Sequence, residues 1–139
     1  MVEVKVKFFG EPYELNQGRG DWIDLQARES RSYYKGEIVY IPLGVAMQLP
    51  EGYEAHILPR SSTVIKFGLI HVASGIIDNG YCGNGDEWHF VGYSIKDENV
   101  FVGDRVCQFR LVRNMQTVEF TTVPELNNSD RGGFGSTGK

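Results

Sequence analysis

Between Gly75 and Gly83 the chain reads Gly-Ile-Ile-Asp-Asn-Gly-Tyr-Cys-Gly, two apolar β-formers ending in a carboxylate, then Asn-Gly, then an aromatic. Asn79-Gly80 predicts a type I′ hairpin turn, because both central residues of that turn need positive φ, which Asn and Gly tolerate best. The hairpin sets Asp78 and Tyr81 on either side of its turn. A carboxylate and a phenol beside partly free backbone groups can bind a planar, hydrogen-bonding ligand and activate a water next to it. Asp78 can also do no more than cap the turn through its own backbone, as Asp often does.

Three further clusters carry chemistry. Pro59-Arg60-Ser61-Ser62-Thr63 offers a guanidinium, three hydroxyls and backbone N–H groups within one turn, which suits phosphate oxygens; it also reads as a Ser-rich surface turn. Gly103-Asp104-Arg105-Val106-Cys107-Gln108 is a turn entering a strand, where period two puts Val106 and Gln108 on one face and Cys107, Phe109 and Leu111 on the other. Gln108 then points into a polar site or to solvent. Asp21 and Asp24 flank an apolar pair, and two carboxylates can bind Mg²⁺ through its waters, although Asp near a strand end is more often a cap. His56, His71 and His89 share no ligand spacing and take no metal role. Tyr33, Tyr34, Trp88 and Phe90 read as core or interface aromatics.

The elements that must position these groups are strands. Val2, Val4 and Val6 alternate with charged residues; residues 37–43, 45–49, 53–58, 68–73, 88–95 and 106–112 are β-branched or alternating, and 117–123 reads as another strand. The strand at 53–58 is expected to return from the Pro50-Glu51-Gly52 turn, and a short helical turn is expected after Pro124. Many short strands with seventeen glycines predict an all-β sandwich, jelly roll or barrel. At 139 residues one domain is expected, and residues 127–139 are too polar and glycine-rich to join a core, so they predict a mobile arm. That arm carries an Arg, an aromatic and a Ser-Thr pair, a composition suited to closing over an anionic ligand and its ring.

Bulk properties narrow the function. A net charge of −4 without a basic block argues against nucleic acid, and no apolar run spans a bilayer. No basic head precedes an apolar body at the start, so a soluble, cytoplasmic protein is expected. Cys82 and Cys107 are the only cysteines and read as free thiols.

In order, Asp-Leu-x-Ala at 24–27, Pro-Arg-Ser-Ser with Lys66 and Gly68-Leu69, Gly-x-Ile-Asp-x-x-Tyr-x-Gly at 75–83, Gly-Asp-Arg-x-x-Gln at 103–108 and a terminal Arg-Gly-Gly-Phe-Gly-Ser-Thr-Gly resemble the five motifs of trimeric dUTP diphosphatases, most of all the short Gram-positive bacterial and phage type. The resemblance implies a jelly-roll-like β barrel over residues 1–126, a flexible closing arm over 127–139, and a homotrimer with sites at subunit interfaces. One subunit supplies the second and fourth motifs to a site, another the third, and another the arm.

It also implies hydrolysis of dUTP to dUMP and pyrophosphate, with Mg²⁺ as cofactor, held mainly by the substrate phosphates. Asp78 would be the base that deprotonates a water for attack on the α-phosphorus. The hairpin, with Gly75 and Ile77, would read uracil through its backbone. Tyr81 would lie under the deoxyribose, where a 2′-OH would collide with it. Arg60, Ser61, Ser62 and Gln108 would hold the triphosphate, Asp24 would contact hydrated Mg²⁺ or brace the site, and Arg105 would form structural salt bridges. Arg131, Gly135, Ser136 and Thr137 would grip phosphates and Phe134 would stack on uracil. The terminal motif is two residues shorter here between Arg131-Gly132 and Gly133-Phe134 than in the family, so Phe90 or Tyr93 are alternative covers for the base.

Two rival readings remain at this level. A dCTP deaminase shares the fold and needs a proton-shuttling carboxylate, for which Glu87 is the candidate. A regulatory phage or host partner, as proposed for some phage members, could bind the polar stretch Asn84-Gly85-Asp86-Glu87-Trp88, which otherwise is an ordinary loop.

Overall fold

The computed structural model describes residues 1–18 and 20–135. The strands are β1 (Lys5–Phe8), β2 (Ile23–Gln26), β3 (Arg31–Tyr33), β4 (Ile38–Pro42), β5 (Val45–Gln48), β6 (Tyr53–Pro59), β7 (Leu69–His71), β8 (Ile76–Ile77), β9 (His89–Ser94), β10 (Glu98–Val100) and β11 (Arg105–Arg113). One short helix, α1 (Thr63–Phe67), separates β6 from β7. All pairings are antiparallel, in sheets ordered β2-β11-β6-β8, β4-β9-β7, β1-β5 and β3-β10. The wall they form is hydrogen-bonded in segments rather than as a closed ring.

Alternation places the core. In β4, Val39 and Ile41 are buried while Ile38 and Tyr40 face out, the period-two signature of a sheet with one packed face. Trp88, Phe90, Leu25, Leu43 and Met47 are fully buried between the sheets, each contributing about 1.5–3 kcal/mol by leaving water. Trp88 meets Phe109 edge-on at 5.1 Å.

Several sequence expectations need correction. β5 and β6 do not form a hairpin: β5 pairs with β1, whereas β6 crosses into the sheet with β11 and β8. The side chains of β5 show why, since Val45, Ala46 and Met47 are all buried and only Gln48 is exposed. Ser61 and Ser62 form the expected turn, but Thr63 departs from it by opening α1. There Thr63 is fully buried, accepting the Arg60 N–H at 2.8 Å and donating to the Val106 carbonyl at 2.9 Å. A bulge between Arg105 and Cys107 breaks the alternation of β11, so Val106 and Cys107 are both buried and Val106 does not share the half-exposed face of Gln108. Residues 117–123 form no strand and no helix follows Pro124, because this stretch leaves the body after β11 and is exposed, with no ladder partner among the described residues.

Both thiols are free, Cys82 exposed and Cys107 buried. No helix is long and apolar enough to cross a membrane among the described residues. The outer face of the β4-β9-β7 sheet is apolar where a solvated sheet would be polar: Ile38 and Ile70 both stand opposite Tyr93 across their ladders, and all three are exposed, as is Tyr40.

Candidate active site

The segment from Gly75 to Tyr81 is built onto β6. β8 pairs with it through Ala55 opposite Ile77 and His56 opposite Ile76, and the Ile57 N–H donates to the Gly75 carbonyl at 2.7 Å. Gly75 has φ +70, and a Cβ there would stand 2.1 Å from the Ile57 carbonyl oxygen and 2.7 Å from His71 Cε1. Only glycine fits that approach. His71 in turn stacks on Phe90 at 5.0 Å, and burial holds its imidazole below the usual value.

A pH dependence follows from His71. Its folded pKa lies below the 6.5 of the unfolded chain, so the unfolded state binds more protons as the pH drops. The stability from neutral His71 is full above pH 6.5 and is lost as the pH falls from there toward the lowered folded value. Thermal melts across that range are expected to show a steeper loss of Tm for the unchanged protein than for His71→Gln.

After Ile77 the chain turns, and the Tyr81 N–H donates to the Asp78 carbonyl at 3.0 Å. The turn is not type I′. Neither Asn79 nor Gly80 has positive φ, and no return strand follows Tyr81. The reason lies in the Asn79 amide, whose Nδ2 donates to the carbonyls of Pro50 at 2.9 Å and Tyr53 at 2.8 Å. The turn is fastened to a neighbouring turn instead of being shaped by strand twist. The Asp78 carboxylate is exposed and makes no hydrogen bond or ion pair with any described residue, so its side chain does not cap the turn.

Asp78 opens onto a cavity of about 210 Å³ lined also by Ile76, Ile77, Tyr81, Glu87, Trp88 and His89. The Tyr81 hydroxyl donates to the Glu87 carbonyl at 3.1 Å, and burial, with Asp86 and Glu87 nearby, pushes its phenol up. His89 Nδ1 lies 3.0 Å from the same carbonyl. Sequence reasoning missed His89 as a lining residue; the signal was its place one step before buried Phe90 in an alternating strand, which turns it outward.

The Glu87 carboxylate is not available for proton transfer. Arg28 binds it through Nε at 2.7 Å and Nη2 at 3.1 Å, and the Gly44 N–H donates to it at 2.8 Å. The deaminase reading therefore loses its carboxylate. The proposed partner stretch is also reduced, since Glu87 and Trp88 are buried and only Asn84 and Gly85 of it are exposed.

A second cluster forms where β2, β11 and the end of β6 meet. Asp24 and Gln108 are cross-strand partners. Arg60 Nε lies 3.2 Å from one oxygen of Asp24 and Arg105 Nη1 lies 3.5 Å from the other, while Arg60 Nη1 donates to the Arg105 carbonyl at 3.2 Å. Asp24 thus bridges two guanidiniums. Gln108 Nε2 donates to the Pro59 carbonyl at 3.1 Å. Beside them runs a polar groove of about 530 Å³ lined by Glu14, Asn16, Gln17, Asp24, Arg105 and Gln108 among others. Ser62 is the N-cap residue of α1, with no side-chain cap bond, and Ser61 is exposed.

Within one chain these two clusters do not meet. They line separate cavities with no residue in common: the first follows Ile77, which pairs with Ala55 on β6, and Arg60 stands five positions beyond Ala55, about 17 Å of extended chain at roughly 3.3 Å per residue. Arg131, Phe134 and Gly135 are exposed, and Ser136 and Thr137 lie outside the described residues. Of the alternative base covers, Phe90 is excluded because it is fully buried against His71; Tyr93 is exposed, on the outer sheet face. Among the described residues no three His, Cys, Asp or Glu side chains gather to hold a metal ion. Asp24, beside the polar groove, is a carboxylate placed to meet the water shell of a cation that arrives on phosphate oxygens.

A free carboxylate at a small pocket, and guanidiniums with an amide along a polar groove, are the groups needed for water-mediated chemistry on a phosphorylated ligand. The dUTPase family model matches residues 22–138, and the chain belongs to that family. It is 48% identical to the SPbeta prophage-derived deoxyuridine 5'-triphosphate nucleotidohydrolase YosS of Bacillus subtilis (strain 168), over 99% of each chain. It is 31% identical to the deoxyuridine 5'-triphosphate nucleotidohydrolase of Fusobacterium nucleatum, over 100% of each. In fold it is similar to the dUTPase of Staphylococcus bacteriophage 80alpha solved with dUpNHpp, with a TM-score of 0.77, 22% identity and 99% of each chain covered. That protein is described among phage dUTPases that control transfer of virulence genes by a proto-oncogenic G protein-like mechanism. A mutant dUTPase of phage phi11 of S. aureus, solved for the coordination of a structural Mg(II) ion, aligns with a TM-score of 0.72 at 20% identity, over 91% of this chain and 99% of that one.

Proposed function

We propose that this dUTPase hydrolyses dUTP to dUMP and pyrophosphate in the cytoplasm, as a homotrimer whose sites are shared between subunits. The observation that carries the reading is the free Asp78 carboxylate at the mouth of a pocket floored by an anchored Tyr81. With no hydrogen bond or ion pair to any described residue, its oxygens are open to accept a proton from a water.

Asp78 takes that proton while the water oxygen bonds to the α-phosphorus and the bond to the bridging oxygen of pyrophosphate breaks. Backbone of the turn that carries Asp78, held in place by Gly75 and Ile77 on β6, pairs with the edge of uracil, and the Tyr81 ring closes the space a 2′-OH would occupy. Arg60, Ser61, Ser62 and Gln108 hold phosphate oxygens, with Asp24 keeping Arg60 and Arg105 in place beforehand. Mg²⁺ arriving on the substrate phosphates would supply charge neutralisation, and Asp24 is the residue that would meet its water shell. Arg131, Phe134, Gly135, Ser136 and Thr137, in an arm from 127 to 139 that follows a barrel domain of residues 1–126, close over the bound nucleotide and exclude bulk water.

The trimer is supported by the separation of the clusters: two halves of one site, about 17 Å apart along β6, would be brought together between copies of the chain. The exposed apolar face of the β4-β9-β7 sheet is suited to subunit contact. The test is pyrophosphate release with Mg²⁺ from dUTP beside dCTP, dTTP and UTP, together with the mass in solution. Selective cleavage of dUTP by a species of three chains is the expected result. Binding of dUTP without cleavage overturns the enzyme reading, and full activity in a monomer overturns the shared site.

A further inference from the structure

An ion pair outside the reacting groups fastens the nucleoside pocket from behind. Arg28 follows β2 by two positions and meets both oxygens of Glu87, at 2.7 and 3.1 Å, and the Glu87 side chain is only 10% exposed. The Arg28 stem lies along Gly44, which has φ +72 and where an added Cβ would stand 3.4 Å from Arg28 Cβ. Gly44 also donates its N–H to Glu87 at 2.8 Å. On the far side of the next peptide bond, Trp88 is locked by its N–H to the Val45 carbonyl at 2.8 Å and by its own carbonyl to the Leu43 N–H at 2.9 Å. The Glu87–Trp88 peptide is therefore held at both ends. Its carbonyl is the one that receives the Tyr81 hydroxyl at 3.1 Å.

We propose that Arg28 and Glu87 are positioning residues for sugar selection: their ion pair fixes the Glu87 carbonyl, the carbonyl fixes the Tyr81 ring, and the ring's rigidity sets how strongly a 2′-OH is refused. This rests on the reading of the chain as a dUTP hydrolase. The physical point is that a steric barrier is only as strong as its mounting. A phenol tethered at its backbone alone yields by rotating about χ1 and χ2, whereas one also tied at its hydroxyl resists. Tyr81 is 41% exposed as a residue, so packing alone does not hold it. Neither Arg28 nor the Glu87 carboxylate touches the substrate in this arrangement; both act through Tyr81.

The test uses the full chain with Arg28→Met, which keeps the stem over Gly44 and removes the guanidinium, and Glu87→Gln as a second route to the same loss. KM and kcat are measured for dUTP and UTP, alone and combined with Tyr81→Phe. For either variant the expected result is a KM for dUTP raised by about tenfold or more, kcat within about twofold, and dUTP-over-UTP selectivity reduced by about tenfold. Tyr81→Phe then adds little to selectivity in the Arg28→Met background, because the same tether is already lost. KM and selectivity do not depend on the fraction of protein folded, so destabilisation alone leaves them unmoved. Unchanged KM and selectivity in both variants, or effects of Arg28→Met and Tyr81→Phe that multiply independently, overturn the inference. If the unchanged protein binds dUTP without cleaving it, the hydrolase reading is what has failed, and the same variants then read the ion pair through the Kd for dUTP against UTP.

Discussion

Asp78→Asn is expected to leave dUTP binding within a few-fold of the unchanged protein and to lower kcat by about 10²- to 10⁴-fold, the usual worth of a positioned general base. The substitution changes little else. The Asp78 carboxylate makes no bond to any described residue, and the turn is held by the Asn79 amide and by the Tyr81 N–H, so Asn fits at 78 without loss of structure. The measurement is single-turnover pyrophosphate release beside equilibrium binding of dUTP. A variant that keeps its turnover removes Asp78 as the base, and one that loses turnover and binding together indicates a structural role.

Gly75→Ala is expected to have the second largest effect, for a steric reason. The φ of +70 costs an L-residue about 1–2 kcal/mol, and the new Cβ would sit 2.1 Å from the Ile57 carbonyl oxygen, which is backbone and has no rotamer to yield. β8 must then lift off β6, taking with it the Ile57-to-Gly75 hydrogen bond of 2.7 Å. The total is at least about 2–3 kcal/mol, or a fall in Tm of roughly 10 °C at this chain length. Because Asp78 is carried three positions along the same segment, kcat/KM falls with it by about 100-fold at temperatures where the variant remains folded. A Tm within about 2 °C of the unchanged protein would show that the approach of Gly75 to β6 relaxes cheaply.

How far these groups were legible beforehand depends on what made each visible. The alternation that places Val39, Ile41, Phe90 and Phe109 in the core is local, and it could be read from spacing alone. The strand pairing of β6 was not, because whether a strand returns to its neighbour or crosses into another sheet depends on which faces find a partner, and residues on both sides of the Pro50-Glu51-Gly52 turn look alike in sequence. The Asn79-Gly80 pair correctly marked a turn and mispredicted its type: tertiary bonds from the Asn79 amide outweigh the intrinsic preference for positive φ. Arg28 carried no signal at all. Its importance comes from meeting Glu87 across 59 positions of sequence, a juxtaposition that only the fold creates.

The locked Asn79 amide also bears on chemical ageing. An Asn followed by Gly is prone to cyclise, as the following backbone nitrogen attacks the side-chain carbonyl and ammonia leaves, and hydrolysis then yields Asp or isoaspartate. Here that amide is pinned to the Pro50 and Tyr53 carbonyls, at 2.9 and 2.8 Å, so its carbon cannot swing toward the Gly80 nitrogen until both bonds break. Damage at this position therefore proceeds only from an opened turn. Once it occurs, the turn loosens: a carboxylate in place of the amide would face two carbonyl oxygens, with repulsion where there was a clasp, and the segment carrying Asp78 would lose its fastening. The rate at which stored protein gains negative charge at residue 79 thus measures the fraction of time that the turn carrying Asp78 is open.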